Sequence, residues 1–235
     1  MRDHAAIGDG RTVDLVARDG AVDWLRVPDL DSATVFAGML DSRRGGSCTL
    51  RPAVPCSSDR RHLPGTNVLE TTFTTDQGTV RVTDAMTLPG TGLTPVRELQ
   101  REVEGVSGTV PVYWSVTPRF GYGSRPARIR TRAGVPVASC GADAVAVCSR
   151  QAGRPECTEG AVSGRFEARP GSRSLISLSF AHQEPMVFPS RAECEARLEH
   201  TCAACGPGWG SMPAVGRGPW AVGRGGRQSR AARWR

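Results

Sequence analysis

Asn67-Val68-Leu69-Glu70-Thr71-Thr72-Phe73-Thr74-Thr75-Asp76-Gln77-Gly78-Thr79-Val80-Arg81-Val82-Thr83-Asp84-Ala85-Met86 decides the fold class. Leu69, Thr71 and Phe73 fall on one side of a period-two pattern, the side-chain repeat of a strand with one buried face. Asp76-Gln77-Gly78 supplies the turn. Val80 and Val82 then alternate against Arg81 and Thr83 on the way back. The stretch predicts two antiparallel strands, over 67–75 and 79–86.

The same grammar extends in both directions. Upstream, Thr12–Ala17 and Ala21–Arg26 flank Arg18-Asp19-Gly20, and Asp-Gly is a strong hairpin signal because both residues tolerate positive φ. Ser47–Arg51 is a further short strand. Downstream, Val96–Glu104 and Thr109–Thr117 form a pair around a turn at 105–108. Ala127–Thr131, Val135–Ser139 and Ala144–Ser149 follow, and Gly164–Arg169 and Ser172–Ala181 close the series around Pro170-Gly171. Short strands at this spacing, with 28 glycines and 17 prolines between and around them, predict a sandwich or barrel. Two helices are expected. One spans Ser32–Leu40, with Ser32 as N-cap and Val35, Phe36, Met39 and Leu40 on one face. The other spans Ser190–His200, where Ser190 and Glu193 have the spacing of a capping box.

The chain has 235 residues and a formal charge of +7. The excess is local. Residues 206–235 hold six arginines (217, 224, 227, 230, 233, 235) and no acid, leaving 24 arginines against 23 acids before them. A phosphate-binding surface needs clustered cations, so the folded part is not read as a nucleic-acid protein. No apolar run of about 18 residues predicts a membrane span, and no apolar segment follows Met1-Arg2-Asp3-His4 as a secretory leader would require. A cytoplasmic location is the expectation, with the eight cysteines as free thiols. The Gly/Arg-rich stretch after Cys205 lacks apolar periodicity and is expected to be disordered.

Few residues suggest chemistry. Cys202-Ala203-Ala204-Cys205 lacks the second ligand pair a structural zinc would need, and it ends a helix where a redox pair would begin one. No metal and no cofactor are expected. Asp23, Asp29, Asp31, Glu70 and Asp84 are the carboxylates to weigh, because glycoside hydrolysis needs two of them. Glu70 and Asp84 read as solvated strand positions or turn caps. Trp24 beside Asp23 is the best candidate for a sugar-stacking ring, against the plainer reading of a ring buried in its hairpin. Asp23, Trp24 and Asp31 are the candidate substrate-binding residues, and no catalytic residue is assigned.

Ile7-Gly8-Asp9-Gly10-Arg11-Thr12 and Leu15-Val16-Ala17-Arg18-Asp19-Gly20-Ala21-Val22-Asp23-Trp24-Leu25 resemble the opening of bacterial family 15 glycoside hydrolases, the glucoamylase and trehalase group. Pro28-Asp29-Leu30-Asp31-Ser32, Pro64-Gly65-Thr66-Asn67-Val68-Leu69-Glu70-Thr71, Arg81-Val82-Thr83-Asp84-Ala85-Met86 and Arg119-Phe120-Gly121-Tyr122-Gly123 continue it in order. The sequence departs at Asp29 (Arg in the family), Leu30 (Phe), Ala85 (Phe) and Gly121 (Asp). Each lost aromatic would weaken packing by roughly 3 kcal/mol if its site is buried.

The resemblance implies a mostly β, two-sheet antiparallel super-β-sandwich, here with a short helix near the N-terminus and one C-terminal linker helix. It implies that a separate (α/α)6 barrel carries two catalytic glutamates that hydrolyse α-glucosides with inversion. The expected organisation is a β-sandwich domain at 1–185, a helical linker at 186–205 and a disordered tail at 206–235. The abrupt change in composition predicts a frameshift or early stop near 203–215, cutting the chain before the barrel. The expected function is that of an accessory domain, inactive alone, with the barrel as its partner and substrate reached only through it. The alternative is a stand-alone carbohydrate-binding β-sandwich module.

Overall fold

The computed structural model describes residues 3–88 and 96–204. The stretch from 206 onward, expected to be disordered, and Cys205 lie outside them. Eighteen strands and one helix make up the described fold. In chain order they are β1 (His4–Gly8), β2 (Val13–Ala17), β3 (Ala21–Arg26), β4 (Thr34–Phe36), β5 (Ser47–Pro52), β6 (Ser57–His62), β7 (Leu69–Thr75), β8 (Gly78–Met86) and β9 (Arg97–Gly108). Then come β10 (Val110–Thr117), β11 (Arg119–Phe120), β12 (Arg125–Pro126), β13 (Arg128–Arg132), β14 (Val135–Cys140), β15 (Asp143–Arg150), β16 (Glu156–Cys157), β17 (Val162–Ala168), β18 (Arg173–His182) and α1 (Arg191–Ala204).

Two eight-stranded antiparallel sheets form the sandwich. The first runs β1-β2-β3-β5-β10-β17-β16, with β4 pairing on β3, and the second runs β13-β14-β15-β18-β9-β8-β7-β6. A ribbon of β11 and β12 stands apart. Alternation places Leu50, Val112, Trp114 and Val116 of the first sheet in one buried cluster with Phe73, Val82, Leu99 and Leu178 of the second. Each such side chain contributes about 1.5–3 kcal/mol by leaving water. Trp114 fits because the residue opposite it on β17 is Gly164, where an added Cβ would sit 2.7 Å from the indole. The indole N–H donates to the Ala152 carbonyl at 2.7 Å.

The sandwich core contains a charge. Arg101 on β9 and Asp84 on β8 are cross-strand partners, with side chains 0% and 1% exposed. The guanidinium donates to both Asp84 oxygens at 2.8 and 3.1 Å. It also crosses between the sheets to the carbonyls of Cys48 and Gly20, both at 2.8 Å. Burial opposes the charge on Arg101, but the Asp84 carboxylate outweighs it and raises the pKa. The expectation that Asp84 is solvated therefore fails. Glu70 does stay near the surface, bridged to Arg61 and Arg81 at 2.9 and 3.4 Å.

No helix forms over 32–40. Thr34–Phe36 pairs with β3 instead, Phe36 opposite Leu25 and Thr34 opposite Arg26. Val35 and Phe36 are both buried in the core cluster, so tertiary pairing overrides a short amphipathic pattern whose β-branched residues favour strands. Ser32 closes a tight turn with Asp29, its hydroxyl accepting from the Asp29 N–H at 3.1 Å, and caps nothing. Likewise β9 runs through the turn expected at 105–108. Val106 is the extra residue of a bulge between the pairs Thr79–Ser107 and Val80–Gly105.

The expected C-terminal helix is present, running on to Ala204 rather than ending at His200, and its capping box is formed. Glu193 N–H donates to Ser190 Oγ at 3.3 Å, and Ser190 N–H donates to the Glu193 carboxylate at 2.6 Å. The helix rests on the outer face of the second sheet through Cys194 and Thr201. Beneath it Glu98 on β9 is fully buried. Its carboxylate accepts from Arg197 Nε and Gln100 Nε2 at 2.8 Å each and from the Ser177 hydroxyl. Burial alone would raise its pKa, but these donors reverse the effect and lower it. The adjacent Cys194 thiol is pushed up to about 12 by burial and by Glu98. No helix among the described residues is long and apolar enough to cross a membrane.

Candidate functional site

The site begins with a bulge. In β3 the partners of Leu15 and Val16 are Trp24 and Val22, so Asp23 is the unmatched residue. Val22 and Leu25 are buried on the core side, and Asp23 and Trp24 lie between them half-buried. Trp24 is thus partly buried, neither sealed in its hairpin nor fully open to water.

Three loops converge on these two residues. The turn at 29–32 is tied down by Arg26, which donates to the Leu30 carbonyl at 2.5 Å. The loop at 37–46 closes over Asp23, whose carbonyl accepts from Met39 N–H at 3.1 Å. The third carries Tyr122 between β11 and β12. Gly121, Tyr122 and Gly123 have φ of 60°, 59° and 78°. A left-handed tyrosine persists only where its surroundings hold it, and here Tyr122 N–H donates to Thr34 Oγ1 at 2.8 Å. The Tyr122 ring lies 6.3 Å from Trp24 at 55°, and the Arg26 guanidinium sits 5.7 Å from both rings while bonding the tyrosine hydroxyl. Rings tilted this far offer no flat platform for a sugar.

Around this cluster Leu30, Leu40 and Tyr122 are 56%, 63% and 49% exposed. Beside it an open groove of about 450 Å³ is lined by His4, Asp23, Gly38, Ser42, Ser47 and Thr49 among others. His4 Nε2 meets Asp23 Oδ2 at 3.0 Å. The remaining His4 Nδ1 and Asp23 Oδ1 are buried without hydrogen-bond partners among the described residues.

Of the three sequence-derived site residues, the structure brings Asp23 and Trp24 to adjacent positions of one surface. Asp31 lies exposed on the 29–32 turn, and no hydrogen bond or ion pair joins it to either among the described residues. Asp23 is engaged by His4, so it does not face a second free carboxylate across a closed pocket. Among the described residues no group of three or more His, Cys, Asp or Glu could hold a metal ion. Sequence reasoning missed Arg26, His4 and Tyr122 as members of the cluster. Only the Gly-Tyr-Gly spacing at 121–123, which demands an unusual backbone, hinted at the tyrosine.

The chain is similar in sequence to known proteins over its first part. A family model described as trehalase-like, N-terminal, matches residues 1–151. The trehalase of Mycobacterium tuberculosis is 37% identical over 138 residues, covering 52% of this chain and 20% of that protein. The trehalase of Mycolicibacterium smegmatis matches to the same extent. That of Thermoplasma volcanium is 33% identical over 123 residues, covering 51% and 20%. The chain thus matches about a fifth of the length of these curated relatives. With the family model spanning 151 of its 235 residues, the chain belongs to the trehalase-like N-terminal domain family.

Proposed function

We propose that this chain is the N-terminal accessory domain of a family 15 glycoside hydrolase of the trehalase and glucoamylase type, without hydrolytic activity of its own. The observation that carries the reading is the loop end at Trp24, Arg26 and Tyr122. It is rigidly built, yet it leaves Leu30, Leu40 and Tyr122 largely in water. Such a patch, rimmed by polar groups, is the mark of an interaction surface. Its partner is the catalytic barrel, and its role is to pack there and shape the mouth of the active site. Asp23, Trp24 and Asp31 contribute to substrate binding only in that assembly. Cleaving an α-glucoside with inversion takes two carboxylates about 6.5–9.5 Å apart with water between them, and the barrel supplies both. A cytoplasmic setting goes with this reading, where exposed thiols such as Cys56 and Cys157 stay reduced.

The test is glucose release from trehalose and maltose by the purified chain. The expected result is none above buffer. Release that disappears in Asp23→Asn, or on neutralising any other carboxylate of this chain, would overturn the proposal.

A further inference from the structure

The two outer faces of the sandwich are not alike. That of the second sheet carries α1. That of the first sheet, over β5, β10 and β17, is bare among the described residues. Two grooves of about 670 and 580 Å³ lie there, and both are lined by Tyr113 and Arg165.

Register lines up the residues between them. Tyr113 on β10 stands opposite Arg51 on β5 and opposite Arg165 on β17. All three point outward, because Val112 and Trp114 on either side of Tyr113 are buried. Neighbouring strands are about 4.8 Å apart, so the two arginine backbones bracket the ring across roughly 10 Å. Arg165 already leans over the Tyr113 ring at 5.5 Å, and no carboxylate pairs with it among the described residues. Arg51 has Asp19 at 3.8 Å, with both side chains at least half exposed, and a pair that open is worth little in water. The two grooves together present Arg18, Arg51, Arg154 and Arg165 against Asp19 and Glu156. One repeat along the strands, about 7 Å away, the cross-strand row is Thr49, Ser115 and Ser163. It offers three hydroxyls that can both donate and accept.

A ring with one guanidinium over it and a second arginine on the neighbouring strand, beside a row of hydroxyls, matches one kind of ligand. We propose that the face formed by Arg51, Tyr113 and Arg165 binds a pyranose carrying an anionic substituent, either phosphate or carboxylate. The anion lies between the guanidiniums, which suit planar or tetrahedral oxyanions through paired N–H donors. The sugar ring packs at the free side of Tyr113, and its hydroxyls exchange hydrogen bonds with Thr49, Ser115 and Ser163. The site is separate from the Trp24 loop end and does not depend on a catalytic partner. Its neighbours also distinguish it from a plain basic patch, which would bind any anion equally well.

The test is a titration of the full ¹⁵N-labelled chain, following backbone amides, with glucose 6-phosphate, glucuronate, glucose and inorganic phosphate as separate probes. We expect amides at 49–51, 113–115 and 163–165 to shift with at least one anionic sugar and not with glucose at the same concentration. Which anionic sugar binds more tightly identifies the substituent. Arg51→Gln and Arg165→Gln, both at exposed positions, should each weaken that binding about three- to tenfold. No shift with either anionic sugar overturns the proposal. So does inorganic phosphate binding as tightly as the sugar phosphate, or unchanged affinity in the variant carrying both substitutions.

Discussion

Asp84→Asn is the most informative single change in the fold. The side chain keeps its shape, but the charge opposite Arg101 is gone. Arg101 is 0% exposed, so water cannot take over. Its two bonds to the Cys48 and Gly20 carbonyls, at 2.8 Å each, remain as dipoles facing an uncompensated cation. Breaking a buried pair by removing one partner costs about 3–5 kcal/mol. A domain of ordinary stability holds about 5–15 kcal/mol, so the variant loses roughly a fifth of it or more. A loss of about 4 kcal/mol corresponds to roughly 8–16 °C in Tm at this size. The assay is urea denaturation followed by far-ultraviolet circular dichroism, where the midpoint should fall with the slope unchanged. The control is Arg101→Met combined with Asp84→Leu. With both charges removed, the desolvation cost of the pair disappears too, and the Gly20 carbonyl still accepts from Leu50 N–H at 3.2 Å. The double variant should therefore be more stable than Asp84→Asn. A loss under about 1 kcal/mol for Asp84→Asn, or a double variant less stable than the single one, would refute the reasoning that an unpaired buried charge is the issue.

Glu98→Gln should free α1, since the carboxylate accepting from Arg197, Gln100 and Ser177 loses its charge. We expect faster proteolysis within 191–204 and a local loss of about 2–4 kcal/mol. In the native chain, Glu98 has a lowered folded pKa. Its contribution is present above the ordinary glutamate range and is lost as pH falls through the folded value, so amide exchange in α1 should speed up in acid. Asp14 behaves in the opposite sense. Burial, with Asp9 and Asp84 adding to it, raises its pKa, and both its oxygens lack partners among the described residues. Its contribution is full below the unfolded aspartate value and declines as pH rises towards the folded one. Asp14→Asn should therefore stabilise the domain at neutral pH and flatten that part of the stability profile, as measured by urea midpoints across pH. Gly164→Ala places a Cβ 2.7 Å from the Trp114 indole and should cost about 1–3 kcal/mol through overpacking, read from the same melts. The isolated chain should self-associate through its loop end. Leu30→Ser combined with Leu40→Ser should shift sedimentation towards monomer without lowering the melting temperature.

The hairpin at 69–86 was legible because its period-two pattern coincides with its real burial. The Asp19-Gly20 turn was legible because the left-handed φ of 83° at Gly20 is what glycine supplies cheaply. Ser190 and Glu193 were legible because a capping box is local chemistry. The misses all depend on pairing partners that no local pattern announces. Thr34–Phe36 becomes a strand because Leu25 and Arg26 offer it an edge. Ser57–His62 has no apolar alternation and is a strand because β7 pairs with it throughout. Asp84 looked solvated because nothing near it in sequence announces Arg101, which reaches it only through the β8–β9 register. The candidate site divides the same way. Asp23 and Trp24 stand together in the sequence, whereas Arg26 and Tyr122 meet across 96 positions. Of the aromatic losses feared from the sequence, the one at Leu30 costs no core packing, since that side chain is 56% exposed. Ala85 is buried, opposite Gln100, whose amide reaches the Cys194 carbonyl of α1.

What covers each surface is written in the residues that point to it. Under α1, the second sheet turns out Ala85, Ala146, Ser177 and Glu98, all fully buried. Small side chains let a helix approach, and the one charge among them is held by donors from the sheet and from α1, Gln100, Ser177 and Arg197 among them. The bare first sheet turns out Thr49, Ser115 and Ser163 together with the arginines flanking Tyr113, groups that lose nothing by meeting water. The loop end follows neither rule. Three of the five large apolar side chains left exposed in the described fold gather there, Leu30, Leu40 and Tyr122. They stand on loops that Arg26, Asp23 and Thr34 hold by hydrogen bonds, so they cannot fold back into the core. A sequence that hides Glu98 under a helix and keeps hydroxyls on its open sheet, yet fixes leucines in water, makes sense when those leucines meet another apolar surface. Under the proposed function that apolar surface is the barrel's, and the Tyr113 face is left for a ligand of different chemistry.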